Sequence, residues 1–249
     1  KKEYYESDMD YDSIISNYVR CIDIDNKSYN CNYGLGYIKW ILNEYDSSIK
    51  YFNRYFELFD DLEYQEKQDI IEDFGHANAS YYLANIYGHK ENFEKAIEIL
   101  DRGIEINPLS KNLFHWRGMA KGYLGDSFGN LSDHKRAFEL DNTNTTYMDN
   151  VAGAMMDLEL YNDAIEYFEK IIKIDSTDYL SYSRIGYIYT YELENHNKAI
   201  DYYNIALKKL TENSRHYNQQ ELIKELSDVN YEIAYNSYKN NINNVLLDK

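Results

Sequence analysis

The chain has 249 residues, with 43 acidic against 26 basic side chains and a formal charge of −17. That balance repels nucleic acid phosphates and argues against nucleic acid as a partner. An apolar share of 44%, 29 tyrosines and a single proline indicate a folded, mostly helical chain, and no run of about eighteen apolar residues is present to span a membrane.

Apolar anchors followed by a short polar stop occur at Ile24, Leu58, Ile106, Leu140 and Ile174, separated by 34, 48, 34 and 34 residues. A period of this length predicts a stack of helix pairs, and the longer interval is one period plus an insertion. In chain order, 1–28 is a partial N-terminal repeat. Its second helix carries Ile14, Tyr18 and Cys21, its first helix would have to come from Lys1–Met9, and the natural protein is expected to extend further towards its N-terminus. A helix pair follows over 29–62, an insertion over 63–76, and pairs over 77–110, 111–144, 145–178 and 179–213, the last with one extra residue in its turn.

Within 145–178, Met148, Val151, Ala152 and Met155 form one helical stripe, and Ala164, Ile165, Phe168, Ile171 and Ile172 form the next. Asp175, Ser176 and Thr177 supply the polar oxygens that end one helix and start another, doing locally what proline does elsewhere. The residues 214–249 carry the stripe Leu222, Leu226, Val229 and Ile233 and are read as C-terminal capping helices of one continuous domain.

These residues resemble the tetratricopeptide repeat. The residues that carry the resemblance are Leu83, Ala84, Tyr87, Ala96, Leu100, Gly103 and Pro108 in 77–110, and Val151, Ala152, Met155, Ala164 and Phe168 in 145–178. In 179–213 they are Tyr182, Ile185, Gly186, Tyr189, Ala199, Tyr203 and Ala206. Repeat 29–62 keeps Leu35, Gly36 and Phe52 but places Lys39 and Ser48 at unusual positions. Repeat 111–144 keeps Phe114, Gly118 and Ala137, with Asn130 and His134 where small and aromatic residues are expected.

The resemblance implies an all-α, right-handed α-solenoid of antiparallel helix pairs. It also implies a non-catalytic protein–protein interaction scaffold that holds an extended peptide segment in a concave groove lined by the first helices. Helix phase assigns to that groove Tyr33, Tyr37 and Trp40; Tyr81, Tyr82 and Asn85; His115, Trp116, Met119 and Tyr123; Asn150 and Met156; and Arg184, Tyr187 and Tyr191. Rigid aromatics with polar tips suit an interface, the alternative being that they fill seams between repeats. Asn85 and Asn150 stand where such arrays hold a peptide backbone. The carboxylate clamp of some family members falls here on His115, Met119, Asn150, Leu180 and Arg184. Only Asn150 and Arg184 fit, and the absent lysines argue against a chaperone tail as ligand.

Phosphate loops, nucleophile elbows and paired Cys motifs are all missing from the sequence, and none of the six histidines stands four residues from another. No catalytic residue, cofactor or metal is therefore expected. Cys21 and Cys31 are read as free thiols of a cytoplasmic protein. The net charge favours a neutral or basic peptide partner. Two other readings stay open: a self-associating structural array, and a regulatory or targeting region of an enzyme encoded outside this chain.

Overall fold

Most helices begin where a short polar side chain takes over a free amide of the first turn. Side-chain oxygens of Ser28, Asn92, Asp126, Asn144 and Asp178 accept from the backbone N–H groups of Cys31, Lys95, Gly129, Thr146 and Ser181. Each such cap contributes about 1 kcal/mol. The Asp175 carboxylate also accepts from the Thr177 N–H at 2.9 Å, so the stop after Ile174 is fixed by side chains without proline.

The computed structural model describes residues 10–72 and 75–212, and these are all-α: helix follows helix, with no strand among the described residues. The helices are α1 (Tyr11–Ile24), α2 (Tyr29–Ile41), α3 (Tyr45–Asp60), α4 (Tyr64–Glu72), α5 (Gly75–His89), α6 (Phe93–Ile106), α7 (Lys111–Tyr123) and α8 (Ser127–Leu140). They continue as α9 (Thr145–Met156), α10 (Tyr161–Ile174), α11 (Tyr179–Tyr187), a π turn at Ile188–Glu192, and α12 (His196–Glu212). Consecutive helices pair as α2 with α3, α5 with α6, α7 with α8, α9 with α10 and α11 with α12, which is the helix-pair solenoid predicted from the period. The expected capping helices over 214–249 lie outside the described residues, as does Lys1–Met9.

The backbone itself records the period. One residue in each intra-pair turn adopts the left-handed conformation: Asn43 at φ 59°, Glu91 at 57°, Gly125 at 81°, Glu159 at 60° and Glu194 at 49°. Their spacings of 48, 34, 34 and 35 residues repeat the longer interval across the insertion and add one residue in the last repeat. That extra residue, expected in the turn, is instead absorbed by the π turn at the end of α11, where a wider hydrogen-bonded ring accommodates it.

The chain divides into two compact units between Leu140 and Asp141. In the first, Phe52, Tyr55, Phe56, Phe59, Leu83 and Ile86 form a buried cluster, and Ile70 of α4 joins it, so the insertion contributes to this core. In the second, Tyr179, Ala199, Tyr203, Ala206 and Leu210 cluster between α11 and α12. Gly36 and Gly186 hold equivalent positions in the two units. A Cβ on Gly36 would lie 2.8 Å from the Phe52 ring, and one on Gly186 would lie 3.0 Å from the Tyr203 ring.

Two expectations need correction or filling in. Cys21 and Cys31, expected as free thiols, are joined in a disulfide between α1 and α2, because folding the α1–α2 hairpin brings their Cα atoms to 6.3 Å. The second helix of 111–144 forms despite its polar side chains, and the charged one among them, Asp133, is fully paired. Asp133, almost wholly buried, accepts from Arg117 Nε at 2.8 Å and Nη2 at 2.6 Å, and pairs with Lys121 Nζ at 2.8 Å. Similarly, Ser48 donates its hydroxyl proton to the Gly36 carbonyl at 2.7 Å, which makes its place in the core tenable.

Candidate functional site

In the first unit, helix phase brings the aromatic side chains of α2, α5 and α7 into a continuous ribbon. The Tyr37 and Trp40 rings stack with centroids 6.1 Å apart, Trp40 meets Tyr82 at 4.7 Å, Tyr82 meets Tyr81 at 5.0 Å, and Tyr81 meets Trp116 at 5.2 Å. His115 continues the row from Trp116 to His134, at 5.2 and 5.3 Å. Tyr33 stands to one side, packed edge-on against Phe52. All of these rings are half-buried apart from the buried Phe52 and His134, so they fill seams and present edges at once. Burial raises the hydroxyl pKa of Tyr33, Tyr81 and Tyr82 above the ordinary phenol value, keeping them neutral hydrogen-bonding groups.

Beside this ribbon, α5, α6 and α7 enclose a cavity of about 390 Å³. Asn85, Trp116, Met119 and Tyr123 line it, together with Gly88 and Glu91. Phe93 and Tyr123 stack at 4.6 Å with nearly parallel rings at its edge. Asn85 is held in place from outside, since the Trp40 indole N–H donates to its Oδ1 at 2.9 Å. An indole nitrogen can only donate, which identifies the bonded atom as the Asn85 oxygen and leaves the NH₂ as the donor of that side chain.

In the second unit, Asn150 lies on α9, Arg184 and Tyr187 on α11, and Tyr191 in the π turn. Tyr187 and Tyr191 meet at 4.8 Å and are well exposed. Arg184 Nε pairs with the Asp149 carboxylate at 3.3 Å and its guanidinium sits over the Phe168 ring. Desolvation raises the Asp149 pKa, and the Arg184 charge offsets part of that rise.

The tetratricopeptide-repeat pattern matches residues 29–61, 77–108 and 150–178. The chain carries tetratricopeptide repeats. Solved structures of similar fold include YrrB, described as a TPR protein with an unusual peptide-binding site. It is 18% identical with a TM-score of 0.64, over 83% of this chain and 97% of its own. A crystal structure of MamA protein is 17% identical with a TM-score of 0.63, covering 77% of this chain and 97% of that one. The C-terminal part of a TPR repeat-containing protein from Cytophaga hutchinsonii is 15% identical with a TM-score of 0.72, over 92% and 84%. At these identities the likeness is one of fold. No curated protein matches the chain in sequence.

Set within its tetratricopeptide repeats, the cavity also includes residues that helix phase does not assign to the groove: Gly88, Glu91 and Phe93. Glu91 and Phe93 belong to the α5–α6 turn and the start of α6 rather than to a first-helix face, and Gly88 contributes by having no side chain. Comparing the same position across repeats would have exposed Gly88. Among the described residues, none of the helices is long and apolar enough to cross a membrane, and no group of three or more His, Cys, Asp or Glu is arranged to hold a metal ion.

Proposed function

We propose that the chain is a non-catalytic interaction scaffold whose first unit binds an extended, neutral or basic peptide segment of another protein. The observation that carries this reading is the cavity between α5, α6 and α7, where Asn85, Trp116, Met119 and Tyr123 converge beside the aromatic ribbon. A concave, largely apolar opening with one oriented amide suits a side chain and its adjoining backbone. The peptide-binding description of YrrB, similar in fold, supports the same reading. The charge of −17 favours neutral and basic ligands over acidic ones. In the second unit Arg184 is already paired with Asp149, so a ligand carboxylate would have to compete with that carboxylate, and a clamp for peptide C-termini is not part of the proposal.

The test is selection of random nine-residue peptides on the folded chain, followed by titration of the enriched peptides with tryptophan emission as readout. Binding is expected to change the Trp116 emission, and Trp116→Ala and Tyr81→Ala are each expected to weaken it about tenfold. Equal affinity for both variants and the parent chain would overturn the assignment.

A further inference from the structure

The left-handed turn residues allow the repeats to be compared position by position. Three residues before them stand Trp40, Gly88, Gly122, Met156 and Tyr191; five residues after them stand Ser48, Ala96, Asn130, Ala164 and Ala199. Three repeats therefore carry a large side chain at the first position. In the fourth, the Asn130 side chain occupies the space that a Cβ on Gly122 would need. Only the repeat with Gly88 and Ala96 is small at both, and the space above Gly88 is open, with nothing within 4 Å of where its Cβ would be.

A glycine inside a helix costs up to about 1 kcal/mol relative to alanine. At Gly36 and Gly103 a neighbouring side chain requires it, whereas at Gly88 no neighbour does. What the missing side chain does provide is a floor over which another backbone can approach α5 closely. The Asn85 NH₂, oriented by Trp40, lies one helical turn away among the cavity-lining residues. Glu91 also lines the cavity, and its carboxylate makes no ion pair among the described residues, whereas its neighbour Lys90 is paired with Asp46.

Resting on the peptide-binding reading, we infer that this cavity selects a segment in which a large apolar residue adjoins a lysine or arginine. The apolar side chain enters beside Trp116 and Met119, its backbone passes over Gly88 with a carbonyl accepting from Asn85, and the neighbouring cation pairs with Glu91.

The same nine-residue peptide selection, run in parallel on the parent chain, Gly88→Leu and Glu91→Lys, tests this. Circular dichroism confirms that each variant is folded. The parent is expected to enrich large apolar residues next to Lys or Arg at least fivefold over the input library. Glu91→Lys is expected to replace the basic preference with Asp or Glu, and Gly88→Leu to lose the apolar preference. Peptides that bind the parent without an apolar–basic pair, or that are recovered equally from Gly88→Leu and Glu91→Lys, would overturn this inference while leaving the scaffold reading intact. If no peptide is enriched on the folded parent chain, both fall.

Discussion

The indole N–H of Trp40 and the amide oxygen of Asn85, 45 residues apart in sequence, are joined by a hydrogen bond of 2.9 Å. This bond ties α2 to α5 across the insertion and sets the direction of the Asn85 amide, although Trp40 is not among the residues lining the cavity. Trp40→Phe keeps an aromatic ring and removes the donor. Its expected cost is about 1 kcal/mol from the lost hydrogen bond, read as a fall of a few degrees in melting temperature. Peptide affinity is expected to fall as well, because the Asn85 NH₂ is then free to turn away.

Asp133 is almost wholly buried and serves two cations, Arg117 and Lys121. The hydrogen bonds that Arg117 donates to Asp133, and then to Asp101, raise its guanidinium pKa despite its partial desolvation. Asp133→Ala removes the partner of Lys121 and leaves Arg117 with Asp101 alone, and the expected loss is on the order of 3 kcal/mol in urea unfolding. Phe128→Ser on the same helix, at a residue 77% exposed, is expected to change stability by less than about 0.5 kcal/mol.

His76 and His134 are buried, and desolvation lowers the pKa of each to about 4. His76 is enclosed by Tyr55, Phe56 and Phe59, with neither ring nitrogen hydrogen-bonded among the described residues. Near pH 6.5 the unfolded chain takes up a proton on each imidazole, whereas the folded chain holds both neutral until about pH 4. Stability is therefore complete above pH 6.5 and falls as the pH drops towards 4, by on the order of 2 kcal/mol per histidine at pH 5. Urea unfolding across pH 7 to 4.5 measures this, and His76→Phe is expected to flatten part of the slope.

Gly36 and Gly88 are expected to respond to alanine in opposite directions. At Gly36 the added methyl group meets the Phe52 ring and costs about 1–3 kcal/mol. At Gly88 it meets nothing, and relief of the glycine's backbone entropy is expected to raise stability by about 0.5–1 kcal/mol. Urea midpoints at unchanged slope distinguish the two.

The helix-pair fold was legible because its anchors, Ile24 to Ile174, recur with the same interval that the turn residues Asn43 to Glu194 show in three dimensions. Less visible was the polar side of α8, since apolar periodicity carries no information about Arg117 reaching Asp133 from the neighbouring helix. The Cys21–Cys31 bond depends on how α1 folds back on α2, which their number and spacing do not reveal. At the candidate site, rings such as Trp116 and Tyr123 were detectable as side chains in phase. Gly88 and Ala96 line the cavity by what they lack, and the phase of large side chains carries no sign of an absence.

The constant count from each left-handed turn residue gives every repeat the same two coordinates, three residues before and five after. At the opening between α5, α6 and α7 both coordinates hold small residues, Gly88 and Ala96, and the next repeat completes the wall with Trp116, Met119 and Tyr123. Ala164 and Ala199 are likewise small at the second coordinate, while Met156 and Tyr191 are large at the first. On the peptide-binding reading proposed above, exchanging such a large residue for glycine is expected to open the same space in another repeat and to move the ligand preference with it, the register and the caps left as they are.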